Sequence, residues 1–172
     1  MQKYPAESEL EYLPVIKIRE LKNGITDTTD KASINIPEEY VLKDGDVVFS
    51  WSGSLEVVIW CFGPGALNQH LFKVTSDHYP KWFYYQWIKY FLPSFQNIAA
   101  DKAVTMGHIK RGHLTEASVL VPDEKTLSKM NNLMSPIIEM IINNSIESQN
   151  LIKMRETLLP RLMSGMIRVN KL

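Results

Sequence analysis

DEKTLSKMNNLMSPIIEMIINNSIESQNLIKMRETLLPRLMSG, residues 123–165, is the stretch whose periodicity decides the architecture. Leu127, Met130, Met134, Ile137 and Ile141 advance in alternating steps of three and four, which lines one side of a helix for packing on another helix. Leu151, Leu158 and Leu162 resume that register, while Asn144, Ser148 and Arg155 put polar groups on it. Two readings fit. Either this is one long helix with a polar middle, or a helical hairpin turns near Asn143 to Asn150. The long helix is favoured, kinked near Pro136 and Pro160, each of which lacks the N–H that a helix interior uses. About 40 helical residues reach roughly 60 Å, more than a small domain can cover. The stripe predicts a second copy of the chain, packed antiparallel, because two-fold dimers are the commonest closed assembly. Asn144 and Ser148 near the helix middle would then fix the register.

Upstream the period shortens to two. Val15-Ile16-Lys17-Ile18-Arg19 alternates apolar and polar, the mark of a half-buried strand, and Asn23-Gly24 signals a turn. Lys43-Asp44-Gly45-Asp46 is a second turn, feeding a strand over Val47-Val48-Phe49-Ser50-Trp51 that closes at Ser52-Gly53. Val57 to Phe62 is an apolar strand stopped by Gly63-Pro64-Gly65, and Leu71-Phe72-Lys73-Val74 is another. Val47, Phe49, Val58, Trp60 and Leu71 are the expected core. Residues 80–100 turn helical, with Phe83, Trp87, Tyr90 and Phe91 on one face, Pro80 in the first turn and Pro93 expected to kink or end the helix. Ile109 to Val121 looks strand-like again and ends at Pro122. The expected class is α+β: a small, mostly-β domain over 1–122 carrying an aromatic-rich helix, then a coiled-coil type helix over 123–172. There is no internal repeat and no low-complexity tract.

Composition narrows the function. The 172 residues hold 19 basic and 19 acidic side chains, and this balance argues against a polycation that coats nucleic acid indiscriminately. Residues 1–122 carry 12 basic and 14 acidic side chains, so a nucleic-acid reader would have to gather its lysines on one face. One cysteine, Cys61, excludes an intramolecular disulfide and a cysteine-rich zinc site, and suits a reducing cytosol. The polar start offers no signal peptide, and no run approaches the roughly 18 apolar residues of a membrane span. A cytoplasmic protein with no membrane partner is expected.

Four histidines are present, and His108 and His113, five apart, give no standard metal spacing. Asn68-Gln69-His70 sets two amides beside an imidazole, groups able to read base edges, although a plain polar loop between strands fits the same residues. Lys102, His108, Lys110, Arg111 and His113 form the best basic cluster, with Lys102, Lys110 and Arg111 the candidates for phosphate contact. A solvated surface loop is the competing reading. Ser50-Trp51-Ser52-Gly53 lacks the flanking glycines of a nucleophile elbow and reads better as a strand ending in a tight turn. Phosphate-loop and dinucleotide fingerprints are absent, as is the Pro-Pro-aromatic motif of adenine methyltransferases. The aromatic helix could stack bases, but its stripe fits a core better. No catalytic constellation and no cofactor are expected.

Two segments carry a family resemblance. Gly45 to Gly53, then Ala66-Leu67-Asn68-Gln69-His70-Leu71-Phe72, resembles the target-recognition domain of type I restriction-modification specificity subunits. Pro136-Ile137-Ile138-Glu139, followed by Leu151 to Gly165, is similar to the helical spacer of that family. The resemblance covers roughly Leu13 to Val169 and implies a non-catalytic DNA reader. Its members typically carry two recognition domains joined by long antiparallel helices, each domain reading half of a split target. The helices hold methyltransferase subunits, and the assembly recruits a translocating nuclease. Against that pattern the resemblance implies one such domain and one such helix, with the family's usual first strand or two expected to be absent. Glu56 replaces the second glycine of the common Ser-Gly-x-x-Gly, Asp123-Glu124-Lys125 replaces an acidic-Gln opening, and Met166 stands where an acidic residue is common.

The expected partners are therefore double-stranded DNA, the modification methyltransferase, the translocating restriction subunit and a second copy of the chain. Met130, Met134, Ile137, Ile141, Leu151, Leu158 and Leu162 are the expected dimer and methyltransferase interface. A fragment defective in DNA binding, acting only through its helix as an assembly protein, is the alternative.

Overall fold

The computed structural model describes residues 3–101, 109 and 111–168. In chain order the elements are β1 (Leu13–Ile16), α1 (Ile18–Asn23), β2 (Lys31–Ala32), β3 (Val41–Leu42), β4 (Val47–Ser50), β5 (Val57–Ile59), β6 (Gly65–Leu67), β7 (Leu71–Val74), α2 (Lys81–Asp101), α3 (Arg111–Thr115) and α4 (Glu124–Met163). A short 3-10 turn, Glu38–Tyr40, precedes β3. The expected α+β class holds. The strands form two sheets, ordered β2-β1-β6-β3 and β5-β4-β7. Every pairing is antiparallel except β1 with β6, which sets Val15 beside Ala66.

β4 is the pivot, because all four of its residues are buried. Alternation along the strand sends Val47 and Phe49 to one face and Val48 to the other. Val48 joins Ile16, Leu42, Trp60, Leu67 and Leu71 in a cluster drawn from both sheets. Val47 and Phe49 join Leu55, Val57, Phe95 and Ala99, which seats α2 on the opposite side. Of the five expected core residues, Val47, Phe49, Trp60 and Leu71 are buried and Val58 is half-buried. A third cluster ties α4 to α2: Trp82 and Phe83 meet Ile138, with Leu127, Met134 and Ile142 around them. The Trp82 indole N–H donates to Asn131 Oδ1 at 2.9 Å across that contact.

α4 runs unbroken through the polar segment, so the long helix is correct and the hairpin is not. Its start is set by Asp123, whose carboxylate accepts from the Thr126 N–H at 2.8 Å and the Thr126 hydroxyl at 2.9 Å. That bond, made to the charged form, holds the Asp123 carboxyl below the usual carboxylate range. At the other end Gly165 takes φ +73° and donates to the Leu162 carbonyl, closing the last turn.

Some expectations need correction. Ile18 and Arg19 belong to α1, not to a strand, since Glu20 reaches back to accept the Lys17 N–H at 3.1 Å and nucleates a helix. Pro93 does not end α2, which continues to Asp101 with the Phe91 and Phe95 rings stacked on the core side. The strand over Val57–Phe62 stops at Ile59, where the chain turns to let the Trp60 indole donate to the Gly63 carbonyl. Within Ile109–Val121 the only regular element among the described residues is α3. Ile109 is buried and donates to the Trp51 carbonyl at 3.1 Å, but Val119, Leu120 and Val121 are exposed. The periodic reading also missed β6, hidden in Gly65-Ala66-Leu67. A Cβ on Gly65 would stand 2.5 Å from Ile16 Cγ1, so only glycine lets β6 lie this close to β1.

Candidate nucleic-acid interface

Asn68-Gln69-His70 is the whole connection between β6 and β7, and therefore links the two sheets. Both ends are pinned by extensions of the ladders. The Asn68 N–H donates to the Ile16 carbonyl at 3.1 Å, and the His70 carbonyl accepts from the Trp51 N–H at 3.3 Å. Between them the Leu71 N–H closes a turn onto the Asn68 carbonyl at 3.0 Å, and the Asn68 side-chain oxygen accepts the His70 N–H at 3.2 Å. A three-residue loop held this tightly presents its side chains from a rigid base.

The side chains are ordered by neighbours from β4 and its turn. Ser52 Oγ lies 3.0 Å from His70 Nδ1, and the Gln69 amide nitrogen lies 3.4 Å from His70 Nε2. The Trp51 ring tilts against His70 with centroids 5.8 Å apart, and stacks on Phe72 at 6.1 Å. The Trp51 N–H of the indole donates to the Gln69 carbonyl. Gln69 is exposed, whereas Asn68 and His70 are half-buried. Ser52 and His70 thus meet although nothing in their spacing announced it. Among the described residues, the hydrogen-bond partners of the imidazole are the Ser52 hydroxyl and the Gln69 amide, with no carboxylate to complete a nucleophilic relay. Ser50 is buried and serves the turn: its hydroxyl donates to the Ser54 carbonyl and accepts the Glu56 N–H at 3.2 Å. Glu56, in place of a glycine, needs no positive φ there and pairs with Lys22 at 3.3 Å.

Beside the loop opens a polar notch of about 420 Å³, with Lys17, Asp30 and Lys31 facing Asn68 and Gln69. Lys17 pairs with Asp30, and that ammonium holds the Asp30 carboxyl below its ordinary range. The Lys31 ammonium sits 4.3 Å from the Tyr12 ring centroid. These two lysines stand out in sequence only as ordinary surface cations; the β1–β6 pairing carries Lys17, and the β1–β2 pairing Lys31, to the amide loop. Of the basic cluster, Lys102 and Lys110 lie outside the described residues, as does His108. Arg111 opens α3, and His113 lies two residues on in the same helix.

The helix stripe divides. Met134 turns inward to the Trp82 and Phe83 cluster, while Met130, Ile137, Ile141, Leu151, Leu158 and Leu162 are exposed. The face covered by the chain's own body runs through Leu127, Asn131, Met134, Ile138 and Ile142, about one position round from the expected seam. From Leu151 to Arg168 every residue is exposed. None of the helices is long and apolar enough to cross a membrane among the described residues.

A two-sheet body with a polar loop at the sheet junction, joined to a helix that overhangs it, is the class of protein described so far. Three curated relatives are similar to the chain in sequence. The chain is 27% identical to the type I restriction enzyme MjaIX specificity subunit of Methanocaldococcus jannaschii, over 93% of this chain and 39% of that protein. It is 29% identical to the EcoBI specificity subunit of Escherichia coli, over 73% of this chain and 27% of that protein. It is 25% identical to the HindI specificity subunit of Haemophilus influenzae, over 96% and 38% respectively. The chain thus spans between 27% and 39% of the length of these relatives. No family model matches it. The resemblance to type I specificity subunits carried by the two motif segments is borne out by these relatives.

Proposed function

We propose that this chain is a non-catalytic, cytoplasmic DNA-sequence specificity component of a type I restriction-modification system, reading one half of a split target. Residues 1–122 form the reading domain, and residues 123–172 form the spacer that docks the modification methyltransferase and pairs with a second copy. The observation that carries this reading is the similarity to three specificity subunits over 73% to 96% of this chain. Catalysis resides in partner subunits: the methyltransferase brings the methyl donor, and a translocating subunit brings cleavage. On the reading domain, Asn68, Gln69 and His70 face base edges, with Lys17 and Lys31 beside them as phosphate contacts. Lys102, Lys110 and Arg111 supply further phosphate contacts.

A shift assay on duplex DNA at several salt concentrations, with and without the cognate methyltransferase, tests the proposal. Binding in the complex supports it. Complexes that form normally yet never bind DNA would favour a helical assembly fragment instead. Each phosphate-contacting lysine changed to alanine is expected to reduce the slope of log affinity against log salt by about 1. An unchanged slope with Lys102, Lys110 and Arg111 all replaced removes that cluster from the interface.

A further inference from the structure

An apolar groove of about 650 Å³ lies between α2 and the start of α4, walled by Trp87, Tyr90, Leu120, Pro122 and Met130. Tyr90 is 71% exposed and Leu120 83%, an unusual setting for two large side chains on one groove. Met130 is at once a wall of this groove and the first member of the exposed stripe that runs down α4. The stripe needs a cover. Its large apolar side chains, a dozen of them from Met130 to Met163, are each 37% exposed or more. At about 90 Å² apiece they would bury roughly 1,000 Å² per copy, against about 800 Å² per partner in a standard stable interface.

We propose that this groove receives the end of a second copy's α4, around Leu162, Met163 and Met166, in an antiparallel pair whose two-fold axis passes at Ile146. This rests on the assembly reading of the helix given above and specifies its register. The positions decide it. An axis at Ile146 sets Met130 level with the partner copy's Leu162, Leu133 with Leu159, Met140 with Ile152, Ile141 with Leu151 and Asn144 with Ser148, matching apolar with apolar and polar with polar. Ile137 falls level with Arg155, whose long stem can lie over it. Past Met163 the chain turns at Ser164-Gly165, with Met163 and Met166 each 80% exposed. In this register Met163 falls level with the partner copy's Lys129, beside the Met130 wall of the groove, and Met166 follows past the turn in the direction of Leu120 and Pro122. Their unbranched, polarizable side chains suit an aromatic groove of this kind. Each body is then fastened to the far end of the other copy's helix, which fixes the separation and facing of the two reading loops.

Cysteine pairing in the full chain tests the register, since native Cys61 is buried and burial pushes its thiol up. Met130→Cys and Leu162→Cys proteins, mixed and oxidised, are expected to give a disulfide-linked dimer, whereas neither variant alone does. Met130→Cys mixed with Arg155→Cys, one heptad out of register, is expected to stay unlinked. Tyr90→Asp is expected to weaken the dimer at least tenfold, with its far-ultraviolet spectrum unchanged because Tyr90 is exposed. A dimer by light scattering in which Met130→Cys links to Arg155→Cys, or to neither, overturns the groove assignment while leaving the assembly reading standing. A monomer at micromolar concentration overturns both, and leaves DNA reading to the shift assay.

Discussion

β4 and the last turns of α4 are built from the same kind of residue and have opposite fates. Val47, Val48 and Phe49 are buried on both faces of a central strand, between a second sheet and α2. Leu151, Leu158, Leu159 and Leu162 are as apolar and exposed. Hydrophobic character is thus no guide to burial by itself; burial requires a second surface that the chain can bring alongside. A strand 4 residues long is easily sandwiched, while a helix of 40 residues outruns the body that anchors it. The first half of α4 shows the transition, since Leu127, Met134, Ile138 and Ile142 reach α2 and nothing beyond Leu151 does.

The sharpest way to break this contrast is to empty the two regions in turn. Phe49→Ala is expected to cost about 3 to 5 kcal/mol of folding stability, as for other buried phenylalanines, and Leu158→Ala under about 0.5 kcal/mol at concentrations where the chain is monomeric. Urea unfolding of each variant measures both, and a thermal midpoint unchanged by Phe49→Ala would place that ring outside the core. Ile138→Ala probes the boundary between the regions. It removes the one fully buried apolar side chain of α4 and should cost about 2 kcal/mol, at the low end for buried isoleucines because one side of the contact is a single helix. Hydrogen exchange is expected to rise in α4 with β4 protection retained; a uniform rise through the body would mean that α4 and the sheets unfold as one unit.

Ile141→Asp addresses the bare stripe. Ile141 is exposed, so the fold loses only helix propensity, about 0.5 kcal/mol. The expected consequence is a change in mass by light scattering from twice 19.8 kDa to that of one chain. A wild-type protein already at the single-chain mass would sink the expected homodimer. The smallest effect concerns the helix start. The Asp123 carboxyl is depressed by the Thr126 N–H and hydroxyl, so its contribution is fully present above the ordinary carboxylate value of 3.8 and is lost as pH falls through the lower folded value. Asp123→Asn keeps a capping oxygen and is expected to flatten that acid-side loss in a melting series taken from neutral pH downwards. An unaltered acid limb would assign the loss to other carboxylates, such as Asp30, whose value is also depressed.

Much of the body is legible from residue order because its signals are local. Leu71–Val74 is a strand as expected, and β4 lies within the apolar run after Gly45. Asp123 caps α4 where the helical period begins. The misreadings occur where another contact, local or distant, overrides the alternation. Ile18-Arg19 leaves the strand because Glu20 captures the Lys17 N–H, and Glu20 itself is held in the interior by Arg19 and Thr29. β6 has no alternation to read, since three small or apolar residues form a strand only through pairing with β1 and β3 on either side. The candidate site divides in the same way. Asn68-Gln69-His70 is visible as a polar triplet between strands, but Lys17, Lys31, Trp51 and Ser52 join it only through sheet pairing.

Periodicity of 3.6 and of 2, punctuated by glycine and proline, was enough to determine the α+β class, the long helix and most of the core, because each depends on residues a few positions apart. The face of α4 that meets the body, the lysines that border the amide loop and the groove beside Tyr90 were decided by tertiary structure alone. The stripe Met130, Ile137, Ile141 and the stripe Leu127, Asn131, Met134, Ile138, Ile142 differ by a small rotation about one axis. Which of them turns inward depends on where Trp82 and Phe83 stand, and that is set by the seating of α2 on β4 some 35 residues earlier in the chain.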